Sequence, residues 1–297
     1  MFCRHNRLTS KCSICSRELE ANLRSQAPVR HVSPRKTGAS STPRSRSSSS
    51  SAPRSSKRLV TRQLARATDD GYRNPLVPGL RATADAERLA VALKDAVARL
   101  VPPGPYPLLA EEPDLEQATW LGFLLALAPE LREVIEEVRP SWADADVSAL
   151  PEPRARAAAA YRAWIERAGS QEAAFTGEAT WSPERRFGRV FERLSLPGFN
   201  RAARFDLLTS LGAAGRYPLE ADGVHFVEDD ATVLAAKRLL VSGDRMLLER
   251  RARDLADACG VPISALDRGL ATWGTHGEHV DLTAEPDPGV AAALGLH

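Results

Sequence analysis

An all-α fold is what this sequence predicts, and three observations carry the expectation. Much of the 43% hydrophobic fraction is Ala and Leu, with few β-branched runs, the composition of helix formers. From about Leu59 onward apolar residues recur at helical spacing in one segment after another. Residues that start and stop helices punctuate those segments, and only GVHFVED, residues 223–229, reads as a candidate strand.

The first helical pattern is ADAERLAVALKDAVARL, residues 84–100, which places its apolar side chains on one face and must stop at the VPPGPYP that follows. Residues 116–138, EQATWLGFLLALAPELREVIEEV, are apolar almost all round in their first half. That predicts a central buried helix, broken near Pro129, where the missing amide and the ring oppose continuation. RARAAAAYRAWIERAG (154–169) and SPERRFGRVFERL (182–194) come next, the second with Ser182 as N-cap and Pro183 at the first helical position. After ERLSLPGFNRAARFDLL (192–208) come ATVLAAKRLL (231–240), DRMLLERRARDLADACG (244–260) and ISALDRGLATWG (263–274). Asp244 and Ser264 read as caps, Gly260 and Gly274 as stops.

Charge divides the chain. Residues 1–58 carry thirteen Lys and Arg against two acids, a balance of +11, while the remaining 27 basic and 36 acidic residues give −9, for a net of +2. Long-range attraction to nucleic acid would therefore come from the N-terminal arm, and the rest could bind only through local patches. Residues 17–58 hold almost no large apolar side chain. They cannot bury enough surface to offset the entropy of ordering and are predicted to be a disordered basic Ser/Arg/Pro linker. No run approaches the roughly 20 apolar residues of a membrane span, and the Cys- and Arg-rich start lacks a signal-peptide core, so a cytoplasmic protein without membrane contact is expected.

Residues 1–16 present Cys3, His5, Cys12 and Cys15, a C-x-H-x6-C-x2-C arrangement. Tetrahedral zinc takes four thiolate and imidazole ligands. Sixteen residues cannot build an apolar core, so a small zinc knuckle with a structural ion is the expectation. The fourth cysteine, Cys259, falls on an apolar helix face and reads as core. Residues 59–297 form the predicted helical domain.

In LSLPGFNRAARFDLL a Pro197-Gly198 corner separates two amphipathic segments, and Asn200 tolerates the left-handed conformation nearly as well as glycine. Such a turn leaves the first amides of the next helix pointing outward, an anion site, with Arg201 and Arg204 able to add charge-assisted contacts. LPGFNRAA is similar to the L-P-G-x-G-x-x-T-A loop of the helix-hairpin-helix DNA glycosylase superfamily, with Asn200 in place of the second glycine. The wider run, RAGSQEAAFTGEATWSPERRFGRVFERLSLPGFNRAARFDLLTSLG followed by AAKRLLVSGD, LLERRA and ALDRGLATWG, resembles the α-glutamyl/putrescinyl thymine pyrophosphorylase family, a branch of that superfamily, and most of all its third clade. The resemblance spans roughly residues 59–275, and the FCRHNR…CSIC start is similar to N-termini of the clade.

The resemblance implies a two-lobed all-α domain that holds double-stranded DNA, through Gly198, Asn200, Arg201 and Arg204, with a modified base everted into its cleft. It implies a transferase, in which a small amine displaces pyrophosphate from a pyrophosphorylated hydroxymethyl-uracil; a monofunctional glycosylase and a non-catalytic DNA-binding module are the alternatives. Ala202 stands where lysine-dependent members of the superfamily keep their Schiff-base lysine, which argues against lyase chemistry. A carboxylate is expected about 24 residues past the loop's leucine. Counting reaches Glu220, with Asp222 beside it, whereas alignment on AAKR favours Asp229 or Asp230; Asp230 is the first choice and Asp222 the second. Arg185, Arg186, Lys237 and Arg238 are the candidate pyrophosphate clamps. Trp120, Trp164, Trp181 and Trp273 are candidates for stacking on an everted base or for core packing. No cysteine follows Trp273, so no iron-sulfur cluster is expected, and a monomer is.

Overall fold

A computed structural model of the chain describes residues 68–144, 150–275 and 284–296. The zinc candidates Cys3, His5, Cys12 and Cys15 and the linker 17–58 lie outside the described residues. Twelve α-helices and a short 3-10 turn make up the described structure, and no strand occurs among the described residues. In chain order the helices are α1 (Thr83–Leu100), α2 (Pro107–Glu111), α3 (Leu115–Leu127), α4 (Arg132–Val138), α5 (Arg154–Ala168), α6 (Gln171–Thr176), α7 (Pro183–Arg193), α8 (Arg201–Ala213), α9 (Ala231–Leu240), α10 (Arg245–Cys259), α11 (Ile263–Gly274) and α12 (Pro288–Ala293). None is long and apolar enough to cross a membrane.

The punctuation reads largely as expected. Ser182 caps α7 by accepting from the Arg185 amide, with Pro183 at the first position. Asp244 caps α10 through the Leu247 amide, and Gly260 ends that helix in the left-handed region. Pro129 breaks the predicted 116–138 helix into α3, a 3-10 turn and α4. Two boundaries differ. Pro262, not Ser264, precedes α11; it offers no side-chain cap, and its carbonyl accepts the Ala265 and Leu266 amides at 2.9 and 3.1 Å. Gly274 is the last residue of α11 rather than its stop, and it stays helical because its missing side chain lets Ala235 of α9 approach: a Cβ there would lie 2.8 Å from the Ala235 Cβ.

GVHFVED is not a strand. The Val224 and Phe226 amides, which a neighbouring strand would have to accept, both donate to the Glu249 carboxylate of α10, at 3.1 and 2.7 Å. Between them His225 adopts a φ of +56°, incompatible with an extended run. A helix side chain has taken the place of a sheet partner.

Two apolar cores organise the described unit, which lies within Arg62–His297. The first is built by α2 to α8 around Trp120, Phe123, Tyr161, Phe175, Phe187, Phe191 and Phe205. Aromatic rings dominate it: Phe123 and Tyr161 stack at 4.0 Å and Phe175 and Tyr217 at 5.2 Å. The second combines α1 with α9, α10, α11 and α12 around Leu89, Leu93, Leu239, Leu255, Leu270 and Trp273. Cys259 is buried in it, as its place on an apolar face predicted, and burial pushes its thiol up to about 11. Helix α8 belongs to the first core, yet its N-terminal turn faces the segments that lead into the second; the candidate site lies there.

Candidate functional site

The turn between α7 and α8 is held from both sides. Gly198 has a φ of +81°, and a Cβ there would lie 2.9 Å from the carbonyl oxygen of Pro153, so glycine is required for both backbone angle and space. Asn200 does not take the left-handed role expected of it. It is extended, at φ −76° and ψ 172°, and caps α8 by accepting from the Ala203 amide at 2.9 Å. The left-handed residue is Gly198, two positions earlier, which leaves Asn200 its ordinary work as an N-cap.

The anion place at the start of α8 is filled by the protein itself. Glu228 accepts the Arg201 amide through Oε2 at 3.2 Å and a guanidinium bond from Arg204 Nη2 through Oε1. Arg204 is buried over the Phe191 ring, 4.6 Å from its centroid, and burial pulls its guanidinium below its usual value. Arg201 is wholly buried and cannot reach a ligand phosphate. Its Nε donates to Asp230, its Nη1 donates to the Val224 carbonyl at 2.9 Å, and Nη1 lies 2.8 Å from Asp267 Oδ1. The two arginines expected on DNA phosphates are thus internal counter-ions.

Asp230 caps α9 through the Val233 amide at 2.9 Å while its other oxygen binds Arg201. Asp267 comes from α11, and its buried carboxyl is pushed up to about 6, because desolvation outweighs the attraction of Arg201 and the Asp230 charge adds repulsion. The guanidinium has two carboxylates within reach, so one carboxylate is left under-compensated. Neither Arg201 Nη2 nor Asp267 Oδ1 has an aligned hydrogen bond among the described residues.

Beside this node opens a cleft of about 280 Å3. Ala202 and Phe205 of α8, Leu100 at the end of α1 and Ala271 of α11 give it apolar walls, and Thr209, Thr232, Ser264 and Thr272 line it with hydroxyls. Two carboxylates border it: Asp267 and Asp206. Asp206 accepts the Tyr106 hydroxyl at 2.9 Å and pairs with Arg268 Nη1 at 3.3 Å, yet its carboxyl is held above the usual range because desolvation exceeds both. Carboxyls raised by desolvation in a cleft wall are a common feature of sites that do acid-base chemistry. Ala202, where a nucleophilic lysine would have to stand, is exposed on the rim.

The remaining sequence candidates are scattered. Arg186 is buried and donates to the carbonyls of Thr176, Pro218 and Trp181, which makes it a structural strut rather than a pyrophosphate clamp. Arg185 is exposed over the Trp181 ring. Lys237 pairs with Asp229 at 2.5 Å, and Arg238 packs over Trp273 with Asp85 3.8 Å away. These four form no common cluster. Asp222 lies apart from the cleft lining, bonded to His225 at 2.7 Å. All four candidate tryptophans, Trp120, Trp164, Trp181 and Trp273, are buried, the core-packing outcome.

Asp206, Asp267 and Tyr106 were missed in the sequence. Asp267 had a legible signal: it stands four residues after Ile263 and three before Leu270, a carboxylate on an apolar helical stripe. Asp206 had none, since its Tyr106 partner is 100 residues away.

A model of the family described as alpha-glutamyl/putrescinyl thymine pyrophosphorylase clade 3 matches residues 147–280, a span that holds α7, α8, the Arg201 node and α11. It is the family that the sequence resembles. Neither a curated protein nor a solved structure matches the chain.

Proposed function

We infer that this chain, whose residues 147–280 carry the pattern of that pyrophosphorylase family, is an enzyme that processes a modified thymine in DNA, with the base received in the cleft beside Ala202. The observation that carries the reading is the pairing of Asp206 and Asp267, both raised in pKa, on one hydroxyl-rich cleft. At about 280 Å3 the cleft is at the small end of ordinary ligand pockets, roughly 300 Å3 and upward, and suits a single base. The Leu196-Pro197-Gly198 turn between α7 and α8 supports a helix-hairpin-helix mode of holding the strand. With Arg201 and Arg204 internal, that mode would use the turn's backbone rather than those side chains.

The reaction is amine transfer. The amine nitrogen attacks the methylene carbon of a pyrophosphorylated hydroxymethyl-uracil, a C–N bond forms, and the C–O bond breaks with its electron pair leaving on pyrophosphate. The proton released from nitrogen goes to a cleft carboxylate, for which Asp206, partly exposed, is the better placed. Asp267 and Asp230 hold the Arg201 guanidinium beneath it. Mass spectrometry of nucleosides, after incubation with DNA carrying the pyrophosphorylated base and an amine such as putrescine or glutamate, tests this. A mass gain at the base with pyrophosphate release is the expected result; no change with any amine refutes the transfer.

Ala202 favours a second reading, a monofunctional glycosylase, because a cleft without an amine nucleophile can still release a base by water attack at the sugar. Free base and an abasic site in the same experiment would select it.

A further inference from the structure

Away from the cleft, a second pocket of about 280 Å3 opens between residues 222–227 and the first turns of α10, lined by Asp222, His225, Arg245, Glu249 and Arg253 among others. His225 is fixed there with unusual care. Its φ of +56° is an arrangement that non-glycine residues adopt infrequently. The Glu249 carboxylate holds that conformation by accepting the amides on both sides of it. The imidazole stacks on Phe191 at 4.4 Å, and its Nε2 meets Asp222 Oδ1 at 2.7 Å. Asp222 thereby fixes the ring's orientation.

The pocket's carboxylates are engaged within the protein, and its arginines are not paired with them. Both oxygens of Glu249 are taken by amides and one of Asp222 by the imidazole. Arg245 and Arg253, by contrast, have no carboxylate within ion-pair distance among the described residues; Arg253 donates only from Nε, to the Asp222 carbonyl at 3.3 Å. Arg245 is also the first residue of the 15-residue α10, where the helix dipole favours an anion. A planar guanidinium matches a phosphate with two parallel donors.

We propose that this pocket is a phosphate-binding site, with Arg245 and Arg253 as the donors and His225, held in place by Asp222 and the backbone clamp of Glu249, as one wall of it. It stands apart from the cleft and holds whichever reaction the cleft performs. The phosphate has two possible sources, free pyrophosphate or a DNA strand, and the experiment separates them.

Calorimetric titration of the full chain with inorganic pyrophosphate, and separately with an unmodified duplex, is compared for the native protein, Arg245→Ala, Arg253→Ala and Arg250→Ala, each checked for native circular dichroism. Arg250 is exposed on the same helix but does not line the pocket, so it controls for charge alone. Loss of either pocket arginine is expected to weaken binding about tenfold or more, with Arg250→Ala nearly silent. A selective loss for pyrophosphate identifies a small-ligand site, and a selective loss for the duplex alone identifies a strand-phosphate site. Should neither probe discriminate the pocket arginines from Arg250, the proposal is overturned. Nucleoside mass spectrometry on the same variants keeps that failure distinct from failure of the base-processing reading. Arg245 is exposed at the first helical position, so its variant is the one that keeps the test open if Arg253→Ala loses structure.

Discussion

Replacing Arg201 with methionine removes a guanidinium that is wholly buried and serves Asp230, Asp267 and the Val224 carbonyl at once. Removing one partner of a buried ion pair costs about 3–5 kcal/mol, because the other partner stays buried without compensation. For a unit of this size that is a fall in Tm of roughly 6–20 °C. The sign of its pH dependence follows from Asp267. In the folded protein its carboxyl is at about 6, against an ordinary value of 3.8, so the native state binds the proton more tightly than the unfolded state. Stability from this group is therefore fully present below pH 3.8 and is lost as pH rises towards and through 6. The loss is roughly 3 kcal/mol, at about 1.4 kcal/mol per pH unit. Without Arg201 the carboxyl rises further, since the guanidinium is what holds it down. The Arg201→Met protein should consequently be penalised more at pH 8, where Asp267 must ionise unpaired, than at pH 5, where it can stay protonated. Urea unfolding of both proteins at the two pH values measures this. A penalty below about 1 kcal/mol, or one equal or larger at pH 5, would refute the account of the node.

Four further outcomes follow from the cleft and the turn. Asp206→Asn should lower kcat by about 100-fold or more with little change in fold, the contribution of a positioned proton acceptor; single-turnover rates on modified DNA measure it, and an unchanged rate removes Asp206 from the chemistry. The native protein's rate should decline on acidification above the ordinary aspartate value of 3.8, because desolvation raises both cleft carboxyls; a profile that stays flat until pH falls to 3.8 contradicts proton transfer to either. Ala202→Trp should abolish activity while leaving the unfolding midpoint close to native, because Ala202 is exposed on the cleft rim. Gly198→Ala should destabilise by about 1–3 kcal/mol through its positive φ and the Pro153 carbonyl, as chemical denaturation would register.

Local rules made much of the helical skeleton legible in the sequence alone. Apolar periodicity gave the faces of α1, α7 and α10. Capping side chains act within three residues, so Ser182, Asp230 and Asp244 could be read where they stand. The Pro197-Gly198 corner was equally local, and the family pattern around it was a matter of residue order.

Tertiary structure decided what the charged side chains are for. Whether an arginine meets solvent or a buried carboxylate depends on partners distant in the chain: Arg201 is matched by Asp230 and Asp267, Arg204 by Glu228, and Arg186 by three carbonyls. Glu249 of α10 similarly turned GVHFVED from a strand into a clamped loop. The proton affinities of Asp206 and Asp267 are set by desolvation in a cleft wall that several helices build together. Helix formation is governed by neighbours three and four residues apart, whereas burial and electrostatic pairing are governed by neighbours in space, and for this chain the candidate chemistry resides in the second.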